Sequence, residues 1–175
     1  MSEPHADPLL VTARLALRPL DAGDAGFMLA LLNDEAFIRN IADRGVRTLD
    51  EARAYIAAGP VASYACNGFG LWLVEERSTG AATGICGLVR RPTLDDVDIG
   101  FAFLPAWRGN GYAREAAQAV LDDARTRLGL TRVVAIVATA NLASARVLEA
   151  IGLRYERMLD LGDPPETLRL FAWDA

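Results

Sequence analysis

One stretch of the sequence, from Val97 to Val137, restricts the fold more than any other. It begins with an apolar strand pattern at Val97–Leu104, followed by a glycine turn and a helical repeat of apolar residues from about Gly111 to Leu128. A second apolar and β-branched run, Arg132–Val137, is typical of a buried strand. A strand, a helix and a strand in this order predict a β-α-β unit with two parallel strands.

Short strand patterns on both sides of this unit predict that the rest of the sheet is antiparallel. They are Arg14–Arg18, Gly70–Glu76, Thr83–Arg90, Leu153–Leu159 and Leu168–Trp173. The chain is therefore expected to adopt an α+β (mixed α/β) fold. Its core would be a twisted, mostly antiparallel sheet of about seven strands, flanked by about four helices.

Two helices are predicted before the central strands. Asp21 and Asp24 are candidate N-caps for the first helix. Thr48–Glu51 has the spacing of a capping box and opens the second helix, which Gly59-Pro60 is expected to end. The polar segment between the helices, Asn33–Arg47, is long enough to be a binding loop.

The size and composition of the chain limit what it can bind. With 175 residues we expect a single domain over residues 10–174 and a flexible N-terminus over residues 1–9. The net charge of −5 argues against a nucleic-acid partner, since phosphates need a cationic face. All 18 basic residues are arginine, which excludes a lysine Schiff base and a lysine-type P-loop.

Histidine and cysteine are scarce, which argues against several kinds of site. The one histidine, His5, lies near the N-terminus, so histidine-based catalysis and a metal site are not expected. Two cysteines, Cys66 and Cys86, do not form a disulfide framework, which suits a reducing compartment. No apolar run has membrane-spanning length, and the polar start is unlike a signal peptide. These features predict a cytoplasmic protein without a membrane partner.

The segment Arg108–Ala113 lies between a predicted strand and a predicted helix. A helix start exposes unpaired N–H groups, and glycines allow close approach of a ligand to the backbone. Such a turn can bind a phosphate or pyrophosphate, with Arg108 and Arg114 adding positive charge. By itself, such a short glycine pattern is more often a plain tight turn.

A second motif, Asn141–Leu153, follows a buried strand and starts a short helix at Ser144–Ile151. Asn141 and Ser144 flank the helix start, where either could act simply as a cap. Together, the two motifs are much more specific than either one alone.

The pair of motifs resembles the GCN5-related N-acetyltransferase (GNAT) superfamily. Arg108, Gly111 and Ala113 match its pyrophosphate signature Gln/Arg-x-x-Gly-x-Gly/Ala, and Asn141–Leu153 resembles its Asn-x-x-Ser-x-x-x-Leu-Glu-x-x-Gly-Phe. The opening Thr12–Leu20 resembles the ribosomal-protein-alanine acetyltransferase-like subgroup. The resemblance extends from about Thr12 to Trp173.

This resemblance implies a GNAT fold, in which the parallel pair splays apart to admit acetyl-coenzyme A, and an acyltransferase activity. The implied reaction is direct acetyl transfer to a primary amine, either a protein N-terminus or a small molecule, within a ternary complex. Ser144 would protonate the leaving thiolate. No metal is implied. The residues implied in coenzyme binding are Phe101, Ala102, Phe103, Arg108, Gly109, Asn110, Gly111, Tyr112, Ala113, Arg114, Asn141 and Ser144.

Several alternatives stay open at this point. The general base could be Asp98, which opens the key strand, or Glu35 in the polar segment, or water. A non-catalytic acyl-coenzyme sensor would keep the same pocket. The acidic residues around the first two helices would suit a cationic acceptor, or form an ordinary solvated face. A homodimer through the C-terminal strands or a sheet edge is also left open.

Overall fold

The computed structural model describes residues 6–175, and its eight strands form one sheet. In chain order they are β1 (Leu10–Val11), β2 (Leu15–Arg18), β3 (Leu71–Glu76), β4 (Ala82–Val89), β5 (Asp98–Phe103), β6 (Arg132–Ala138), β7 (Arg154–Leu161) and β8 (Glu166–Asp174). Their spatial order is β1-β2-β3-β4-β5-β6-β8-β7, and only the β5–β6 pair is parallel within the described residues. The predicted sheet is confirmed, with the short strand β1 added.

The described residues contain six α-helical segments. These are α1 (Ala25–Leu32), α2 (Glu35–Asn40), α3 (Leu49–Ile56), α4 (Ala62–Asn67), α5 (Tyr112–Thr126) and α6 (Leu142–Ala150). Helix α2 lies within the segment that was expected to be a loop. It forms because the Asp34 side chain accepts a hydrogen bond from the Phe37 N–H and so caps the first turn.

The prediction that Gly59-Pro60 ends the second helix is wrong. The capping box at Thr48 and Glu51 forms as expected, but the helical path continues through a π turn, Ala57–Val61, into α4. In this wider turn the Ala62 N–H donates to the Ala57 carbonyl, so the chain passes Pro60 and keeps its helical direction. Gly68, with φ of +73°, ends α4 instead. Because α3 and α4 are continuous, the fold has about five helices.

The predicted cap at Asp24 is also replaced by another contact. Asp21 caps a 3₁₀ turn at Ala22–Asp24, accepting from the Gly23 N–H at 2.7 Å. The Asp24 carboxylate instead accepts from both terminal nitrogens of Arg18, each at 2.9 Å, and both side chains are buried. This bidentate pair attaches the start of α1 to strand β2.

Helices cover the sheet on opposite faces. Met28 and Leu31 of α1 pack with Leu73 and Ile85 of the sheet, and side chains of α2 and α3 join them, so α1–α3 lie on one face, which we call the front. Helices α5 and α6 pack on the other face, the back, against side chains that include Val74 and Cys86. Because side chains alternate along a strand, even-numbered residues of β5 face front and odd-numbered ones face back.

The parallel strands β5 and β6 pair over a very short distance. Asp98 lies opposite Val134, and the Val134 N–H donates to the Val97 carbonyl at 2.9 Å. Beyond this point the described pairing ends, and the strands part toward Phe103 and Ala138. The sheet therefore has an internal gap that opens next to the start of α5.

The predictions of a flexible N-terminus and of no membrane-spanning segment can be compared with the structure only over residues 6–175. His5 and the first five residues of the predicted flexible segment lie outside the described residues. Among residues 6–175, no helix is long and apolar enough to cross a membrane.

Candidate active site

The gap between β5 and β6 exposes backbone hydrogen-bonding groups. The Leu104 N–H donates to the Thr83 carbonyl of β4 at 3.0 Å, and hydrogen bonding alternates along an antiparallel edge. Backbone groups of Phe101 and Phe103 therefore point to the other edge of β5, toward the gap. One of them, the Phe103 carbonyl, accepts from Arg108 Nε at 2.9 Å. The remaining groups form a free strand edge that an extended ligand can pair with.

The loop before α5 and the first turn of this helix present a group of unpaired amides at the mouth of this gap. Gly109 and Gly111 have φ values of +76° and +78°, a left-handed conformation that favours glycine. Gly111 is the N-cap of α5 and contributes no side chain to satisfy the first turn. Within residues 6–175, the first backbone hydrogen bond of this turn is from the Glu115 N–H to the Gly111 carbonyl, so the N–H groups of Tyr112, Ala113 and Arg114 have no backbone acceptor. These donors and the positive end of the helix dipole suit an anion.

Arg108 has a more specific role than added charge at this loop. Besides the Phe103 carbonyl, its guanidinium contacts the carboxylate of Asp34, the residue that caps α2. This ion pair holds the pKa of Asp34 below its ordinary value, although partial burial opposes the shift. Arg108 therefore connects the amide loop to the helix on the opposite wall.

A cleft of about 620 Å³ runs through the gap from the back of the sheet to the front. Most of the residues predicted from the sequence to contact coenzyme line it, and Asp98 lines it too. Those residues are Phe101, Ala102, Phe103, Arg108, Gly109, Gly111, Tyr112, Ala113, Arg114, Asn141 and Ser144. On the front, α2 and the apolar side chains of β3 and β4 complete the wall. Asn110 is not among the lining residues.

Asn141 and Ser144 are connected across the first turn of α6. Asn141 caps the helix by accepting from the Ser144 N–H at 3.2 Å. Its side-chain amide donates to Ser144 Oγ at 2.9 Å. Because Oγ accepts this bond, the Ser144 hydroxyl proton is available for a further acceptor in the cleft.

Asp98 is buried at the point where the strands part. Its side chain is 2% exposed, and its Oδ2 accepts from Arg91 Nε at 2.5 Å. A backbone hydrogen bond from Ile136 reaches the same carboxylate. Burial raises the pKa of Asp98 to about 6, against the opposing effects of Arg91 and Ile136. The group can therefore exchange a proton near neutral pH.

Comparison with known proteins identifies the family. The family model for the acetyltransferase (GNAT) domain matches residues 14–154, which is most of the chain. The chain belongs to the GNAT acetyltransferase family. It is therefore an acyltransferase, and the resemblance noted in its two motifs is confirmed.

Individual GNAT relatives match almost the full length of the chain. The Bacillus subtilis (strain 168) protein YkkB is 29% identical over 163 residues, covering 92% of this chain and 94% of YkkB. The acetyltransferase structure from Agrobacterium tumefaciens strain C58 is 26% identical, with a TM-score of 0.81 and coverage of 100% and 99%.

RimL, the ribosomal L7/L12 α-N-protein acetyltransferase in complex with coenzyme A, shares the GNAT fold. Its TM-score is 0.80 at 17% identity, with coverage of 96% of this chain and 98% of RimL. At that identity the likeness concerns the fold alone. A fold that holds coenzyme A in RimL is thus the fold of this chain.

The second candidate base lies apart from the GNAT cleft. The Glu35 side chain is 92% exposed and lies 3.8 Å from Arg39 on the outer side of α2. Other acidic side chains of this region are also in ion pairs, Asp43 with Arg47 and Asp50 with Arg53. The structure therefore does not bring these carboxylates to the cleft wall.

Among the described residues, neither the cysteines nor the metal-ligating side chains form a further candidate site. Cys86 is buried in β4, where burial raises the pKa of its thiol far above the ordinary range, and Cys66 is exposed on α4. In the part of the chain that the structure describes, no cluster of three or more metal-ligating side chains occurs.

Sequence reasoning missed three residues that contact the predicted site. Arg91 binds Asp98, Asp34 binds Arg108, and Arg14 contacts the amide loop from the N-terminal turn. Arg91 and Asp98 are seven positions apart across a turn, a separation that a hairpin reading could have paired. The other two contacts join distant parts of the chain and have no local sequence signal.

Proposed function

We propose that the protein transfers an acetyl group from acetyl-coenzyme A to a primary amine by direct attack in a ternary complex. The observation that carries this proposal is the continuous cleft. It links the unpaired amides at the start of α5, the free edge of β5 and the buried carboxylate of Asp98. The acceptor is either a protein N-terminus or a small-molecule amine.

The donor half of the cleft suits a coenzyme A thioester. The N–H groups of Gly109–Ala113 bind the diphosphate, with Arg114 adding positive charge at the same helix end. The pantetheine arm pairs with backbone groups of Phe101 and Phe103, like an added strand. Ala102 lines the front of the cleft beside the thioester. In this arrangement Asn110 contributes its backbone, since its side chain does not reach the cleft.

The reaction needs little from the side chains. The neutral amine attacks the thioester carbonyl carbon, so that a C–N bond forms and the C–S bond breaks. A backbone N–H of the β5 edge near Phe101 stabilises the developing oxyanion, an effect that is often about 3 kcal/mol for one such donor. The amine loses a proton, and the leaving thiolate gains one.

Ser144 is the proposed proton donor to the thiolate. Asn141 orients it, because the Asn141 amide donates to one lone pair of Oγ and so directs the hydroxyl proton elsewhere. A thiolate has an ordinary pKa of about 8.5, so its protonation near neutral pH requires modest assistance.

Asp98 is the proposed base, acting directly or through a water molecule. Its burial in the cleft and its raised pKa favour it over Glu35, whose side chain lies on the outer surface. A relay of water to bulk solvent is the remaining alternative. The free cysteines suit a reducing compartment, so we place the reaction in the cytoplasm.

A panel of acceptors tests the proposed function. Purified protein would be given acetyl-coenzyme A with small amines, amino acids, antibiotic-like amines and N-terminal peptides, while thiol release is followed. Acceptor-dependent release, with mass spectrometry of the acetylated amine, is the expected result. Coenzyme binding by calorimetry without release on any acceptor would instead support an acyl-coenzyme sensor. An acetylated cysteine trapped during turnover would contradict direct transfer.

A further inference from the structure

Arg14 makes several contacts around the start of α5. Its Nε lies 2.7 Å from Glu115 Oε2, and its Nη1 donates to the Asn110 carbonyl at 2.8 Å. Its guanidinium lies over the Tyr112 ring, 4.5 Å from the ring centroid. The side chain thus contacts both the loop that precedes the helix and the helix itself.

Glu115 fixes the position of Arg14 from the other side. Its Oε1 accepts from the Arg14 N–H at 2.9 Å and from Thr12 Oγ1 at 2.6 Å. These bonds hold the pKa of Glu115 below its ordinary value, against partial burial. The carboxylate therefore remains ionised, and the turn before β2 is attached to the first turn of α5.

Arg14 does not itself line the coenzyme cleft. It lies in a separate outer groove, together with Thr12, Arg114 and Glu115. Gly111 and Arg114 line both the groove and the cleft, so the start of α5 separates the two. Arg14 therefore acts on a ligand in the cleft indirectly, through the residues that it contacts, which are the loop and Tyr112.

The orientation of one peptide group in the loop provides the more specific of these routes. In a trans peptide the C=O and the N–H point in opposite directions. Because the Asn110 carbonyl is turned toward Arg14, the N–H of Gly111 is turned away from Arg14. A reversal of this peptide is open to the loop, since glycines flank Asn110 on both sides.

We propose that Arg14 is a positioning residue for the coenzyme: it holds the Asn110–Gly111 peptide with its N–H available to the diphosphate. This inference rests on the proposed function, because it assumes that the loop binds a coenzyme A thioester. A reversed peptide would place a carbonyl oxygen, instead of a donor, near the anion. Arg14 also balances the charge of Glu115, which would otherwise repel the diphosphate.

The test compares Arg14→Gln with a matched control, Arg77→Gln. Arg77 donates to the carbonyls of Thr12 and Ala13 in the same turn, at 2.8 and 3.2 Å, but has no contact with the loop. Coenzyme A affinity is measured by calorimetry on each folded protein. We expect Arg14→Gln to weaken it about tenfold, the effect of one impaired hydrogen bond to a charged group. The control should bind like the wild type.

Arg14→Lys separates positioning from charge and covers the case in which Arg14→Gln does not fold. An ammonium keeps the charge but cannot reach Glu115 and the Asn110 carbonyl together, so weak binding should persist. The turnover number of Arg14→Lys at saturating acetyl-coenzyme A should stay close to that of the wild type, because the substitution affects coenzyme binding and not the chemical step. The Gly111 amide resonance of glycine-labelled protein should shift in both Arg14 variants and not in Arg77→Gln.

Two results would overturn the positioning role. One is full coenzyme affinity in folded Arg14→Gln, and the other is full affinity restored by lysine alone. If the wild-type protein itself does not bind coenzyme A, the proposed function fails instead, so the two failures are distinguishable.

Discussion

Arg91 Nε lies 2.5 Å from Asp98 Oδ2. Asp98 is the residue of β5 that pairs with β6, and the two strands separate beyond it. The guanidinium favours the ionised carboxylate, while burial opposes it, and burial is the stronger effect on the pKa of Asp98. The pair also stabilises the apex of the gap, because the same carboxylate takes the backbone hydrogen bond of Ile136.

The role of Asp98 as base predicts a specific pH dependence. Its pKa is raised to about 6, so the base form is lost as the pH falls through that value. The kcat/KM of the wild type, divided by that of Asp98→Asn at each pH, should therefore rise between about pH 5 and pH 7 and then level off. The ratio removes the titration of the acceptor amine.

Glu35→Gln is the control for this measurement, since the Glu35 side chain is exposed outside the cleft. It should follow the wild type at every pH. Equal rates for Asp98→Asn and the wild type would assign proton removal to a water relay.

The same carboxylate should affect folding stability. Its pKa is raised in the fold from 3.8 to about 6, so the folded state binds the proton more tightly than the unfolded state does. The contribution is fully present below about pH 4 and is lost as the pH rises through about 6. The stability of the wild type relative to Asp98→Asn should fall by about 3 kcal/mol over this interval, as measured by urea unfolding. Exposed Asp95→Asn serves as the comparison, and a flat difference would contradict the raised pKa.

Ser144→Ala should separate chemistry from binding. Loss of the hydroxyl removes the proposed proton donor, and the turnover number should fall about 100-fold, a typical effect for a general acid. Coenzyme affinity should be nearly unchanged, because the amides before α5 are intact. Ser78→Ala, on the distant turn between β3 and β4, should have no effect. An unaltered turnover number would remove Ser144 from the mechanism.

Two glycine substitutions test the loop geometry. Gly109→Ala and Gly111→Ala both place a side chain at positive φ, which costs about 1 kcal/mol or more at each site. A Cβ at Gly109 meets open space, whereas one at Gly111 would lie 3.3 Å from Arg14 Nη2. Gly111→Ala should therefore weaken coenzyme A binding more than Gly109→Ala, as measured by calorimetry. Equal losses would show that backbone strain alone accounts for the effect.

Local sequence signals were sufficient for the parts of the fold that depend on neighbouring residues. The capping box at Thr48 and Glu51 and the glycine turn at Gly111 lie where they were expected, because their hydrogen bonds join residues three or four apart. The β-α-β unit was predictable because its periodicities differ clearly between strand and helix.

The remaining features depend on contacts that no local pattern encodes. Arg14 and Glu115 are 101 positions apart, and Asp34 and Arg108 are 74 apart. The passage of the helix through Pro60 also escaped prediction, because a π turn allows what an α-helix would not. The acidic residues suited a cationic acceptor and an ordinary solvated face equally well, and the structure shows that several of them are paired with arginines of the chain.

The short contact between β5 and β6 divides the sheet into two blocks, one of five strands and one of three. With so little shared edge, each block can tilt slightly against the other without breaking its own ladder. A coenzyme A thioester bound in the gap between β5 and β6 would contact both blocks and restrict this tilt. Amides of β6 should then exchange with deuterium more slowly in the liganded protein, and the melting temperature should climb with ligand concentration.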